Sequence, residues 1–232
     1  MFTIKTAVKN RLVDTYSRHK YPIIINSYGR SGSTVLTNSI VNSTISAKGS
    51  LMKSLAFRSI YRTAWSLDEE IFKNGAVYKT HDFPPQIGFR SEIKVIYIYA
   101  NPMNVVLSLR KLYRDRGDIW MREHFNHLNA SYNDFSEIYE NDILGLENHL
   151  NVWRKEKNIS VAFIKYEKLW ERKVDLENFI GFKIQLPAKR KRETNPNKNE
   201  RIANKIAETY KPLIEVVKSL DDFYIINNES FD

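Results

Sequence analysis

A buried-type strand that leads into a glycine loop and then into an amphipathic helix constrains the fold of this chain most. Ile23–Asn26 has the apolar, β-branched composition of a buried strand, Gly29–Thr34 is a short polar loop, and apolar residues recur at helical spacing from Val35 onward. Backbone N–H groups of such a loop and of the first helical turn point at one place, where the helix dipole adds positive potential. The segment therefore predicts an oxyanion site, to which Arg30 adds a cation.

The spacing of the loop distinguishes it from the P-loop of nucleoside triphosphatases. That motif needs four residues between its glycines and then a lysine. Here only Arg30 and Ser31 separate Gly29 from Gly32, and Ser33 follows directly. The loop suits a 5′-phosphate better than a triphosphate, and the alternative is a tight turn that binds nothing.

Two later segments also place polar side chains at the ends of predicted strands. One strand ends in Lys79–His81 before a proline pair, and the strand 94–99 leads into Asn101–Pro102, which has the pattern of a helix N-cap and first turn. Ser108 lies within two turns of that start. Ligands of parallel α/β sheets bind at the carboxyl ends of the strands, so we expect the glycine loop, His81 and Asn101 to converge.

The periodicity predicts an α/β fold with a central parallel sheet flanked by helices. We predict one domain over residues 1–232, with a core at about 21–220 and a C-terminal tail at about 227–232. The predicted strands are 22–28, 76–81, 94–99 and 160–165. The predicted helices are 32–44, 102–114, 140–157, 173–180 and 199–219, the last kinked at Pro212.

Composition narrows the classes of partner. The 232 residues include no cysteine, which removes disulfides and thiolate metal sites, and a net charge of +9 indicates anionic partners. The basic run Lys189–Arg192 would suit nucleic acid, but the aromatic residues form no stacking pattern, so we favour an anionic cofactor. No apolar run of ~20 residues and no signal-type N-terminus is present, so we expect a cytoplasmic protein without a membrane partner. No pattern specifies an oligomeric state.

The order of these segments resembles the sulfotransferases that use 3′-phosphoadenosine 5′-phosphosulfate (PAPS), of both the cytosolic and the carbohydrate type. Tyr28–Thr34 resembles their 5′-phosphosulfate loop, and Lys79–His81 resembles their Lys-Thr-His motif. Asn101–Ser108 is similar to the 3′-phosphate segment. Tyr166–Leu169, after Trp153, is similar to a late Tyr-Glu-Asp-Leu turn. The resemblance implies a P-loop-like sulfotransferase fold.

The resemblance also implies roles for these residues. His81 would be the general base, with Lys79 and Arg30 stabilising charge on the leaving phosphate and no metal required; Asp82 is the competing base. The acceptor would be a hydroxyl group of a small molecule or a carbohydrate. The implied PAPS-binding residues are Gly29, Arg30, Ser31, Gly32, Ser33, Thr34, Asn101, Ser108, Tyr166, Arg190, Lys191 and Arg192.

One position departs from the family pattern: the arginine that binds the 3′-phosphate is replaced by Ala100. Arg110 or the run Lys189–Arg192 could compensate. Two other functions therefore stay open: a nucleotide-dependent phosphotransferase with Asp82 as metal ligand, and a non-catalytic module that binds phosphoanions or nucleic acid.

Two groups of residues concern the acceptor side. The basic and histidine residues of the segment 110–127 either face the acceptor or form a solvated helix face. Five aromatic residues could line an acceptor pocket or pack in the core: Tyr61, Trp65, Phe72, Trp120 and Phe125.

Overall fold

The computed structural model describes residues 4–86, 92–126, 128, 130–189 and 200–227, and its central element is a six-stranded sheet. The strands are β1 (Ile23–Asn26), β2 (Tyr61–Thr63), β3 (Val77–Thr80), β4 (Lys94–Tyr99), β5 (Val161–Lys165) and β6 (Phe223–Ile226). They lie in the order β2-β3-β1-β4-β5-β6, with β6 antiparallel and the other pairings parallel. The predicted α/β class with a central parallel sheet is confirmed.

Helices cover this sheet. They are α1 (Ile4–Tyr16), α2 (Ser33–Thr44), α3 (Ser50–Ile60), α4 (Pro102–Asn126), α5 (Leu146–Arg154), α6 (Lys173–Ile180), α7 (Glu200–Thr209) and α8 (Lys211–Ser219). Short 3-10 turns lie at Phe135–Tyr139 and Tyr166–Lys168. Across the described part of the chain, none of the helices has both the length and the apolar content that a bilayer crossing needs.

Some predicted boundaries were wrong. The predicted helix 140–157 is only the shorter α5, because Gly145 at its N-cap takes the left-handed conformation (φ 60°) and breaks the preceding chain direction. The predicted helix 199–219 is two helices, α7 and α8, and Pro212 lies in the first turn of the second, where its missing N–H costs nothing. The strand 94–99 and the helix 173–180 were predicted correctly.

The predicted helix 102–114 corresponds to α4, which extends to Asn126 and contains a sharp break. Gly117 has φ 80° and ψ 178°, which divides α4 into a first limb (102–116) and a second limb (118–126). Ser108 on the first limb hydrogen-bonds Arg30, while Leu128, just beyond the second limb, approaches Gly29. A straight helix would separate residues 108 and 128 by ~30 Å. The break at Gly117 therefore folds α4 back over the glycine loop.

Sequence reasoning assigned no structure to α1, α3, β2 and β6. α1 packs against α3 and buries Val13, although its apolar residues show little periodicity. β2 extends the sheet beyond β3, and β6 pairs antiparallel with β5 at the opposite edge. Both are edge strands whose side chains are half-buried or exposed, so they lack a buried-strand pattern.

The central position of β1 determines where a ligand can bind. Its three isoleucines, Ile23–Ile25, are fully buried, and it pairs with β3 on one side and β4 on the other. After β1, the chain first adds β2 and β3 on one side of it, and then adds β4, β5 and β6 on the other side. Such a topological switch point opens a crevice at the carboxyl end of the strand.

Shortening a β1 side chain tests this core. Ile24→Ala should lower the free energy of unfolding by ~2–5 kcal/mol, because Ile24 is fully buried and the deletion leaves a cavity. Ile71→Ala is the matched control: Ile71 is 74% exposed, so its loss should change stability by less than ~0.5 kcal/mol. Urea denaturation measures both, and equal effects would contradict the assignment of β1 to the core.

Candidate functional site

The glycine loop lies at the carboxyl end of β1, as predicted. Gly29, Arg30 and Gly32 have positive φ values of 84°, 51° and 85°, and Arg30 is the one non-glycine residue with positive φ in the described ranges. Gly32 is also the N-cap of α2, and Leu36 N–H donates to its carbonyl at 3.1 Å. The loop thus turns sharply into the helix and leaves the first N–H groups of α2 facing the crevice.

Tyr28 fixes this loop to the end of β4. Its hydroxyl donates to the carbonyl of Ala100, and the N–H of Ala100 donates to the same hydroxyl at 3.0 Å. Tyr28 is buried, and burial raises the pKa of its hydroxyl. Within the loop, the Ser31 hydroxyl donates to the Gly29 carbonyl at 2.9 Å. The loop is therefore held in place before any ligand binds.

Two cations of the site have no acidic partner among the residues that the structure describes. No carboxylate of a described residue forms an ion pair with Arg30 or Lys79. Desolvation, and then the charge of Arg30, lowers the pKa of Lys79. Desolvation, and then the charge of Arg116, lowers the pKa of Arg30. Positive charges that repel one another in a partly desolvated crevice are suited to an anionic ligand.

Arg30 of the glycine loop contacts Ser108 of α4. The Arg30 Nε–H donates to the Ser108 hydroxyl at 3.1 Å. Ser31 and Ser33 are buried and Thr34 is exposed. Arg30 thus connects the glycine loop to the second turn of α4.

His81 lies directly beside the loop, because it follows β3 at the point where Ser27 follows β1. Its Nδ1 is 2.7 Å from the Ser27 carbonyl. A carbonyl only accepts, so Nδ1 carries the proton and Nε2 keeps the lone pair, for which no described residue is a donor. Desolvation and the charge of Lys79 lower the pKa of His81 to about 3. The imidazole is therefore neutral near neutral pH.

The Asp82 carboxylate is engaged by the backbone. Its Oδ2 accepts the Leu67 N–H at 2.7 Å, and its Oδ1 accepts the Phe83 N–H at 2.8 Å. Each Asp82 carboxylate oxygen thus already accepts a hydrogen bond from a backbone N–H group.

A buried hydrogen-bond network holds the backbone carbonyls of His81 and Asp82. The Tyr97 hydroxyl donates to His149 Nδ1 at 2.7 Å, and His149 Nε2–H donates to the carbonyls of His81 at 3.0 Å and Asp82 at 3.1 Å. The Asp82 carbonyl also accepts from Asn26 Nδ2 at 2.7 Å and Trp153 Nε1 at 3.0 Å. Burial lowers the pKa of His149 to about 4, which keeps it in the neutral form that this network requires.

Sequence reasoning did not assign roles to Tyr28, Asn26 or His149. One signal was present for His149: it lies four residues before Trp153, on the same face of α5. No comparable pattern marks Tyr28 or Asn26, because each acts through a partner more than fifty residues away.

Tyr166 lies against the glycine loop. A Cβ added to Gly32 would come 2.0 Å from Tyr166 Cδ2, so the ring occupies the space that only glycine leaves. Tyr166 packs edge-on against Trp170, with ring centroids 5.6 Å apart. Both rings line a cavity of about 670 Å³, together with Val35, Asn38, Ser39, Asn42, Gln185, Leu186, Pro187 and Ala188. Tyr166 thus connects the glycine loop to this cavity.

A second, smaller cavity lies beside His81. Its volume is about 40 Å³, and its lining includes Trp65, Phe83, Leu128 and His149. Trp65 is 62% exposed at the rim, whereas Phe125, another predicted pocket residue, is buried in the core. Phe72 packs edge-on against Tyr78. The predicted aromatic pocket is thus represented here by Trp65 alone.

The predicted 3′-phosphate segment lies at the carboxyl end of β4 and the start of α4. Asn101 caps α4, with its Oδ1 accepting the Met103 N–H at 3.0 Å, as its N-cap pattern predicted. Ala100 is fully buried. The charge of Arg110, one of the two candidate substitutes for the missing arginine, opposes the rise in the pKa of Tyr139 that burial causes. The compensating role of Arg110 stays a prediction.

The basic run is described only at its first residue. Lys189 Nζ donates to the Glu167 carbonyl at 3.0 Å and lies 5.6 Å from the Trp170 ring centroid, beside the larger cavity. The predicted cofactor residues Arg190, Lys191 and Arg192 lie outside the described residues. Among the described residues, no group of three or more His, Asp and Glu side chains could hold a metal ion.

Comparison with known proteins finds distant similarity among solved structures. No protein-family model matches the chain, and no curated protein matches it. Among solved structures, it is similar to mouse sulfotransferase SULT7A1 complexed with PAP, with 17% sequence identity and a TM-score of 0.46 over 90% of this chain and 92% of that chain. A similarity this distant does not indicate an activity, so the chemistry must be argued from the residues of this chain.

Gly32→Ala tests the contact between the loop and Tyr166. The variant should lose stability both from a left-handed alanine and from the clash with the ring, an additional ~1–3 kcal/mol. Gly145→Ala is the matched control, because Gly145 is also a left-handed N-cap glycine but has no atom within 4 Å of the added Cβ. Adding Tyr166→Ala to Gly32→Ala should recover the extra loss in thermal unfolding; equal losses at the two glycines would contradict the contact.

The protonation state of His81 can be measured directly. The His81 imidazole resonance in the free protein, assigned by its disappearance in His81→Gln, should not titrate between pH 8 and pH 5, because its pKa is lowered to about 3. A midpoint near the ordinary histidine value of 6.5 would contradict the desolvated, cation-flanked environment.

Proposed function

We propose that this protein is a PAPS-dependent sulfotransferase that transfers a sulfuryl group to a hydroxyl acceptor, releasing 3′-phosphoadenosine 5′-phosphate (PAP). The observation that carries the proposal is the meeting of three features at the carboxyl ends of β1 and β3. These are the glycine loop, the two cations Arg30 and Lys79, which have no acidic partner in the described ranges, and His81, whose Nε2 keeps its lone pair. An anion site next to a neutral base fits group transfer from an anionic donor.

Each group of residues has its own role in the proposed sulfuryl transfer. When bound, PAPS supplies the sulfuryl group. Its 5′-phosphate oxygen keeps the electron pair of the broken S–O bond, and that charge is stabilised by Arg30, Lys79 and the N–H groups of the loop. His81 Nε2 takes the proton of the acceptor hydroxyl as the acceptor oxygen bonds to sulfur.

The low pKa of His81 is consistent with this role. It keeps the imidazole neutral in the free protein, so the base needs no prior deprotonation. An anion bound by Lys79 would offset the charge of Lys79, which after desolvation contributes most to lowering the pKa of His81, and would thereby favour proton uptake. We assign the base to His81 and not to Asp82, because both Asp82 oxygens accept backbone N–H groups.

The larger cavity suits the nucleoside of the donor. Tyr166 contacts Gly32 and also lines this cavity with Trp170, so a ligand with its phosphate on the loop would place an attached aromatic base near these rings. Lys189, which pairs with Glu171 at 3.6 Å, lies beside the same wall.

The phosphotransferase alternative is less well supported. It requires Asp82 as a metal ligand, yet the Asp82 carboxylate holds the N–H groups of Leu67 and Phe83. The loop also lacks the lysine that contacts the outer phosphates of a triphosphate.

The test is transfer of radiolabel from [³⁵S]PAPS to a panel of phenolic and sugar acceptors. The wild-type protein should label at least one acceptor, and His81→Ala should reduce the rate by ~10²–10⁴-fold, the usual contribution of a general base. PAP should still raise the melting temperature of His81→Ala, because the variant keeps the loop and its cations.

Asp82→Asn is the matched comparison. It removes the carboxylate charge but keeps one carbonyl acceptor for the backbone, so it should transfer label at close to the wild-type rate if His81 is the base. No transfer by the wild-type protein would contradict the proposed function. Transfer that survives His81→Ala and is lost in Asp82→Asn would reassign the base.

A further inference from the structure

One wall of the larger cavity is a single face of α2. Val35, Asn38 and Asn42 line it at spacings of three and four residues, and the helix begins at the glycine loop. Tyr166 lines the same cavity and lies against Gly32 of the loop. The cavity therefore runs along α2, away from the glycine loop.

The part of the lining formed by residues 185–188 is fastened by two hydrogen bonds. The N–H of Gln185 donates to the Ser43 hydroxyl at 2.9 Å, and the Trp170 indole N–H donates to the Pro187 carbonyl at 2.7 Å. Because Ser43 belongs to α2, the first bond holds this segment at the C-terminal end of that helix. The lining of the cavity is thus in place before a ligand binds.

Asn38 brings a neutral hydrogen-bonding group into this cavity. The residue is half-buried, and its amide forms no hydrogen bond with any residue that the structure describes. An amide has two N–H donors and one carbonyl acceptor, so it pairs best with a group that presents a donor beside an acceptor. The described residues that line the cavity include no charged side chain. This lining suits a neutral ring with a polar edge better than a phosphate.

Helix geometry distinguishes Asn38 from Asn42. An α-helix rises about 1.5 Å per residue, so Asn38 lies ~7.5 Å and Asn42 ~13.5 Å beyond Ser33 along the axis of α2. Side chains of a helix tilt toward its N-terminus, which brings the Asn38 amide closer to the loop. A nucleotide has only one ribose between its 5′-phosphate and its base. A phosphate on the glycine loop therefore allows the base to reach Asn38, whereas Asn42 lies one turn further away.

We infer that the Asn38 amide binds the base of the donor and makes the site selective for a 6-aminopurine. The inference rests on the proposed function, in which the phosphate lies on the glycine loop and the base lies near Tyr166. Asparagine pairs with adenine through two hydrogen bonds, accepting from N6 and donating to N7. A purine without the 6-amino group presents only an acceptor at this edge, so it leaves the Asn38 carbonyl without a donor.

The test compares PAP with the bisphosphate of purine riboside, which has the same two phosphates but lacks the 6-amino group. Titration calorimetry of the wild-type protein should give a dissociation constant about tenfold lower for PAP, as the loss of one hydrogen bond with an unpaired partner implies. In Asn38→Ala the ratio of the two constants should fall toward one. Asn42→Ala is the matched control and should keep the wild-type ratio, because Asn42 lines the same face one turn further from the loop. Alanine has a higher helix propensity than asparagine, so both variants should fold.

Failure of this inference and failure of the proposed function give different results. No binding of PAP by the wild-type protein would contradict the proposed function, and this inference with it. Binding of PAP and of the analogue with equal affinity, or a ratio that Asn38→Ala leaves unchanged, would overturn this inference alone. A ratio that falls in Asn42→Ala as far as in Asn38→Ala would overturn it as well, because the effect would then not depend on the position along α2.

Discussion

The parallel pairing of β1 with β3 on one side and β4 on the other determines the position of each candidate functional group. Asn26 at the end of β1 lies opposite Thr80 of β3 and Tyr97 of β4, so the residues that follow the three strands must meet. The glycine loop follows β1, His81 follows β3, and Ala100 follows β4. Tyr28 then joins the first of these segments to the third through two hydrogen bonds with Ala100. The crevice is thus a consequence of strand order and not of any single loop.

The electrostatics of this crevice follow from the same packing. Partial burial disfavours the charged forms of Lys79 and Arg30, and no acid compensates them among the residues that the structure describes. The repulsion between these cations is relieved when an anion binds beside them. The same surroundings keep His81 neutral, and the network of Tyr97, His149 and the Asp82 carbonyl fixes its direction.

The sequence predicted the parts of the fold that have strong local patterns. The isoleucine run predicted β1, and the Asn101–Pro102 pair predicted the start of α4. The rule for strand ends in a parallel sheet then predicted that the glycine loop, His81 and Asn101 converge. The sequence did not predict α1, β2 or β6, which have weak periodicity or lie at edges. The return of α4 at Gly117 and the bonds of Tyr28 and His149 join residues distant in sequence, and no local pattern encodes such contacts.

The central claim is that the crevice binds the 3′,5′-bisphosphorylated adenosine of the donor, and thermal unfolding with PAP, with ADP, and with ATP plus Mg²⁺ tests it most directly. A ligand at ~100 times its dissociation constant adds ~2.7 kcal/mol of stability. The account predicts that PAP raises the melting temperature equally with and without Mg²⁺, and that ADP raises it less. A shift with ATP and Mg²⁺ alone, or no shift with any of the three, would contradict it.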